Sequence, residues 1–394
     1  MAIALPRTRH SRLGDLRVVT AALLLAAVGM ALAYGAAGGR QLALFVVGVL
    51  LGVSLYHAGF GFTAAWRRLI LEGDGRGLRA QMLMLALAVL LFFPLLDASA
   101  MWDRPLRGAI APAGVSVFVG AFLFGVGMQL GGACASGTLF TVGGGSTRML
   151  VTLLFFILGS VLGTAHLPFW HGLPAFPPTS LPALLGTWPA LALNLALFAA
   201  IALGSRLWER RRRPGGEPGF EGPRAWHPLR GPWPLWAGAV ALAVLNLATL
   251  LLAGRPWGIT WGFTLWGAKL FDAAGIGIRD WPWWRPYAWV LDMPLWRDVT
   301  SVMNIAIMIG ALLAAGLAGA FRPHWRLGPG ELLAAAIGGL LLGYGARLAY
   351  GCNIGAFFSG VASGSLHGWL WLCAALLGNA VGVRLRPRFG LRPS

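Results

Sequence analysis

The sequence predicts an all-α, polytopic membrane protein made of two related halves, with re-entrant half-helices meeting near the membrane midplane. The first observation behind this is composition. Of 394 residues, 57% are hydrophobic and 11% charged, and the mean hydropathy is +0.71, more apolar surface than a soluble core of ordinary proportions can bury. The second is a duplication: GVGMQLGGACASGTLF at 125–140 and GYGARLAYGCNIGAFF at 343–358 align without a gap, placing Cys134 opposite Cys352. The third is a pair of glycine-rich interruptions within apolar runs in each half, the pattern of discontinuous helices around a binding site at a repeat interface.

Spanning the hydrocarbon takes about 20 apolar residues. Runs of that kind lie near 16–34, 41–60, 80–97, 113–131 and 148–166, and again near 187–207, 234–253, 300–320, 331–350 and 367–384. Roughly nine to eleven hydrophobic helices follow from that length criterion. The first run is read as an uncleaved helix with a cytoplasmic N-terminus, since no small-residue cleavage site follows it. The N-terminal membrane half is placed at 1–207, a basic linker at 208–233 and the C-terminal membrane half at 234–394. The Pro, Gly and Arg content of the linker assigns it to the cytoplasm.

A formal charge of +18 raises nucleic acid as a partner, but the arginines flank the apolar runs, where they act as topology signals and meet lipid headgroups. Nucleic-acid binding is therefore excluded, and membrane lipid is the expected neighbour. The segment RDWPWWRPYAWVLDMPLW at 279–296 is read first as an aromatic belt at an interface, with a lid as the other reading.

The repeat extends beyond the cysteines, because Gly61, Phe62 and Thr63 match Gly262, Phe263 and Thr264. Glycine pairs such as Gly131 and Gly132, and Gly351 in the second half, let the backbone turn inside a membrane. Half-helices starting after the breaks would aim N–H groups and positive dipole ends at the midplane, which favours an anion. Cys134 and Cys352 fall near those starts and add S–H groups as weak donors to a soft sulfur atom. Cys373 reads as a small apolar residue. Lys269, the only lysine in the chain, either attracts an anion or snorkels to the interface. Arg347, matched to Gln129 in the repeat, is a candidate for anion attraction. His57 reads as a structural histidine, with proton shuttling as the other reading.

No phosphate-binding loop, CxxC or HxxxH pattern is present, and the histidines sit mostly at helix ends. ATP hydrolysis, zinc and haem are set aside on those grounds, so no cofactor or metal and no catalytic residue is expected. A membrane sulfurtransferase, relaying sulfane sulfur covalently between Cys134 and Cys352, remains as the enzyme alternative.

The duplicated glycine-cysteine strings, the GFT elements, RPWGITWGFTLWGAK and SVMNIAIMIGALLAA together resemble the YeeE/YedE family of sulfur-compound permeases, over about residues 44–385. The resemblance implies uptake of thiosulfate, or of a related sulfur or selenium oxyanion, across the bacterial inner membrane. It also implies that Cys134 and Cys352 are pathway cysteines that pass the ion by S–H hydrogen bonds, and that a separate TusA-like sulfur-carrier protein serves as cytoplasmic partner. A third pathway cysteine is expected where this chain has Gly61. Either two cysteines suffice, or Cys373 moves in from another helix, or the substrate is not thiosulfate.

Overall fold

A computed structural model describes residues 14–98, 100–101, 104–212 and 226–391. The first long helix, α1 (Leu16–Ala58), contains non-helical residues Ala37 and Gly38. A Cβ on Gly29 would run into the ring of Phe45, so α1 is a hairpin of two legs, 16–36 and 39–58, as the two apolar runs predict. There follow α2 (Phe62–Glu72), α3 (Arg76–Asp97), α4 (Val115–Gly131), α5 (Ala135–Gly143), α6 (Thr147–His171), the short α7 (Leu181–Leu185) and α8 (Thr187–Arg212). The second half supplies α9 (Leu235–Ala253), α10 (Thr260–Ala273), α11 (Val299–Leu317), α12 (Pro329–Leu348), α13 (Ser359–Ala362) and α14 (Leu366–Leu385). Between α12 and α13 lies a π-helical turn, Asn353–Phe358. Among the described residues, nine segments are long and apolar enough to cross a membrane, with the α1 hairpin counted once. Helix α8 continues through Arg212 into the expected linker, whose residues 213–225 lie outside the described ones.

Contacts between elements repeat across the halves. The packing of α4 on α14 is mirrored by α12 on α6, α2 on α14 by α10 on α6, and α5 on α11 by α13 on α3. The equivalent helices α4 and α12 also pack on each other. Gly120 of α4 lies against Gly345 and Leu348, whereas Gly127, further along α4, lies against Leu342 and Gly338. Advancing along one helix means retreating along the other, so the pair is antiparallel. The two-fold relating the halves therefore runs across the helices, the geometry of inverted repeats. Matched glycines do matched work in it: Gly125 meets the backbone of Ala375 and Asn379 on α14, and Gly343 that of Phe156 and Ser160 on α6. Small residues at such crossings let backbones approach where lipid offers no hydrophobic driving force.

All four interruptions predicted from glycine content are helix breaks: α1 to α2, α4 to α5, α9 to α10, and α12 to the π turn. Backbone groups freed by a break inside apolar surroundings need partners, and buried polar side chains supply them. Asn246 accepts from the Trp257 amide (2.8 Å), Ser359 donates to the Trp257 carbonyl (2.7 Å), and Asn304 donates to the Ile259 carbonyl (2.9 Å). Thr152 donates to the Gly131 carbonyl (3.1 Å).

Two faces differ in charge. One gathers the end of α2, the start of α3 and the end of α8, tied by the ion pair Arg79–Glu209 (2.6 Å), together with the ends of α4 and α14. The other gathers the start of α4, the ends of α6 and α12, and the tryptophan-rich segment. That segment is more than an interfacial belt. Trp284 is fully buried and donates to Thr164 of α6 (3.0 Å), while Trp289 stays exposed, so the segment folds over one end of the bundle.

Candidate functional site

Cys134 is the N-cap of α5 and Cys352 the N-cap of the π turn. Each therefore sits where the unpaired N–H groups of a new helical segment begin. The two segments touch, and both thiols lie in one buried cluster with Phe62 and Phe263 of the GFT elements, 1% and 0% exposed respectively. The Cys352 sulfur accepts from the Ile354 amide at 3.4 Å, which leaves its S–H to donate elsewhere. The Cys134 sulfur lies 3.4 Å from the Ser136 hydroxyl. Phe62 stacks edge-on to Phe357 of the π turn, so the first GFT element borders the cysteine element of the other half.

The glycines divide by role. Gly132 has φ +95° and Gly351 φ +152°, and a Cβ on Gly351 would lie 2.7 Å from the Ala356 amide nitrogen. Gly262 permits the approach of Asn304, whose Nδ2 would lie 2.6 Å from a Cβ there, and Gly131 packs against Thr152 and Leu342. Gly61, where a cysteine is expected, has φ −120°, and a Cβ on it would meet nothing nearer than 3.9 Å. The place for a third thiol is thus open. Cys373 does not fill it, for it lies on an exposed face of α14.

Arg347 donates to the Thr264 hydroxyl (3.3 Å) and lies under the Trp283 ring at 5.3 Å, with no ion pair among the described residues. Its repeat match, Gln129, donates to the carbonyl of the matched threonine, Thr63 (3.1 Å), and closely to Asn379. Lys269 is placed apart from the thiols, its ammonium donating to the carbonyls of Leu291 (2.5 Å) and Met293 (2.7 Å) and so fastening the tryptophan-rich segment. Arg279 braces the same segment with bidentate bonds to Asp272 and Asp292, holding both carboxyls below the usual carboxylate range. His57 is buried against Trp233, whose amide donates to its carbonyl (2.8 Å).

Residue types alone did not point to Tyr350. It carries φ +58°, the one positive value among described non-glycine residues, and stacks on His171 at 5.7 Å beside a cavity of about 70 Å³. Its repeat match is Gly132, so the alignment of the two strings held the signal: one left-handed turn, borne once by glycine and once by tyrosine.

A family profile described as sulphur transport matches residues 57–381, spanning both halves and both cysteine elements. The chain belongs to this sulphur transport family. Over 356 residues it is 31% identical to the thiosulfate transporter TsuA of Spirochaeta thermophila, covering 85% of this chain and 95% of that protein. It is 22% identical to the thiosulfate transporter TsuA of Escherichia coli over 350 residues, 84% of this chain and 91% of that one. The probable transporter YedE of Escherichia coli matches at 30% over 165 residues, 41% of each chain. As a sulphur transport protein with nine apolar helical segments among the described residues, the chain is a multi-pass membrane protein.

Proposed function

We propose that this chain is a permease that imports thiosulfate across the bacterial inner membrane through a pathway bordered by Cys134 and Cys352. The observation that carries the reading is that two repeat-matched thiols cap the N-termini of two helical segments in contact with each other. Such a pair offers a sulfur oxyanion two kinds of donor: backbone N–H groups backed by a helix dipole, each end contributing about 0.3–1 kcal/mol toward an anion, and S–H groups suited to the terminal sulfur. Both act away from water, where a hydrogen bond is electrostatically stronger. The segments are re-entrant half-helices, and the ion passes from one thiol to the other without a lasting covalent bond. Arg347 draws the anion from the tryptophan-capped face, and the arginine-rich face is cytoplasmic. There a separate TusA-like sulfur carrier receives the sulfur.

Radiolabelled thiosulfate uptake in cells lacking their own importers tests this, with Cys134→Ser and Cys352→Ser at matched expression. Serine keeps a hydrogen bond and cannot carry a persulfide, so partial uptake by the serine variants is the expected result. Well-expressed wild type without uptake would sink the thiosulfate reading. Serine variants as inactive as alanine ones would favour covalent sulfur relay.

A further inference from the structure

Three guanidinium groups converge at the end of α4. Arg148 donates to the Leu130 carbonyl (2.7 Å), Arg386 to the Gln129 carbonyl (2.8 Å), and Arg67 reaches the Gln129 amide oxygen at 3.5 Å. Arg67 and Arg386 are each 4% exposed, and the three lie close enough for mutual repulsion. Arg148 also borders the break itself, since a Cβ on Gly132, two residues before Cys134, would lie 3.3 Å from its Nη1.

Helix capping does not account for this cluster. Cations are favourable near C-terminal carbonyls, but a guanidinium carries five N–H donors, and the contacts to α4 use one from Arg67 and one from Arg148. Arg67 makes only a contact at the limit of hydrogen bonding. Other arginines on this face take carboxylates, as in Arg79–Glu209 (2.6 Å) and Arg76–Asp74 (2.7 Å), whereas among the described residues neither Arg67 nor Arg148 forms an ion pair. Nor does the fold demand the cluster, because the repeat places Ala268 opposite Arg67 and Leu366 opposite Arg148. Glu72 attracts Arg67 and Glu331 attracts Arg148 without an ion pair forming among the described residues, and like charges held this close in low-dielectric surroundings are costly.

We propose that Arg67, Arg148 and Arg386 form an anion-holding site at the arginine-rich end of the pathway, beside Cys134, that takes a doubly charged sulfur oxyanion. Naming thiosulfate as its ligand rests on the permease reading. The site gives the anion a station on one side of the paired thiols that the other side, with Arg347 alone, does not match.

The test is thermal unfolding of the purified full chain in phosphatidylcholine nanodiscs, titrated with thiosulfate. Wild type and Cys134→Ala are both expected to be stabilised. In Arg67→Gln and Arg148→Gln the half-saturating concentration should rise roughly tenfold, the loss of one charge-assisted contact. Without ligand, Arg67→Gln should melt at or above the wild-type temperature, because a repelling charge has gone; a cap would give the opposite sign. Arg67→Lys, which keeps the charge and loses the fork, should weaken the response severalfold. A thiosulfate response unchanged in the arginine variants overturns the proposal. So does stabilisation by added phosphatidylglycerol but not by thiosulfate, which would make the cluster a headgroup site. Uptake by wild type is read separately: its absence beside an arginine-dependent shift would remove the permease reading and leave the site standing.

Discussion

The first cysteine element runs from α4 through Gly132 into the regular helix α5; the second runs from α12 through Tyr350 and Gly351 into a π-helical turn. Both set a thiol at an N-cap, in one cluster, by a left-handed turn. They differ in what faces the turn. Arg148 borders Gly132 in the first, while Tyr350 stacks on His171 in the second. Constant sulfur placement with unlike approaches fits a path whose centre is symmetric and whose two ends are not.

The strongest way to break this comparison is to remove each thiol. Cys134→Ala and Cys352→Ala should each reduce thiosulfate uptake to background, and Cys373→Ala should leave it intact. Retention in one member of the pair would make the two elements unequal at their centre. The turns come next. Gly132→Ala should cost about 1–2 kcal/mol of stability from its left-handed backbone, measured by thermal unfolding. Gly351→Ala should cost more, because the obstructing atom is backbone nitrogen and cannot move aside, whereas Gly132 is opposed by the end of the Met149 side chain.

Arg347→Gln should raise the half-saturating thiosulfate concentration roughly tenfold with little change in maximal rate, a single lost charge contact. Gly61→Cys should leave stability within about 0.5 kcal/mol, since the space is open, and should not reduce uptake. The smallest effect belongs to the tryptophan-rich segment. The lowered carboxyl pKa values of Asp272 and Asp292 mean that the Arg279 clamp contributes fully above the ordinary carboxylate range and is lost as pH falls through the lowered values. Segment protection in hydrogen exchange should therefore persist through neutral pH and weaken in acid, and Arg279→Gln should remove that dependence.

Much of this was legible in the sequence, because its main signals are repeats and breaks. The two aligned strings locate both N-cap thiols, and glycine content marks all four interruptions. Antiparallel placement of α4 and α12 was not legible, since a break does not say which way the next segment heads. Arg67, Arg148 and Arg386 come from three distant stretches that each look like an ordinary basic flank, and only folding brings them to Gln129 and Leu130 at the end of α4. Asn246 and Asn304 look like stray polar residues in apolar helices until the carbonyls and amides of the second-half break are seen beside them. Lys269 had two readings from its type and position; its two carbonyl partners come from the tryptophan-rich segment more than twenty residues away.

Substrate protection of the thiols tests the central claim most directly. Using Cys373→Ala protein in membranes, the rate of alkylation at Cys134 and Cys352 would be followed by peptide mass with and without thiosulfate. If both thiols border one pathway, thiosulfate slows modification at both, over the same concentration range. Modification of either at an unchanged rate would contradict the shared site.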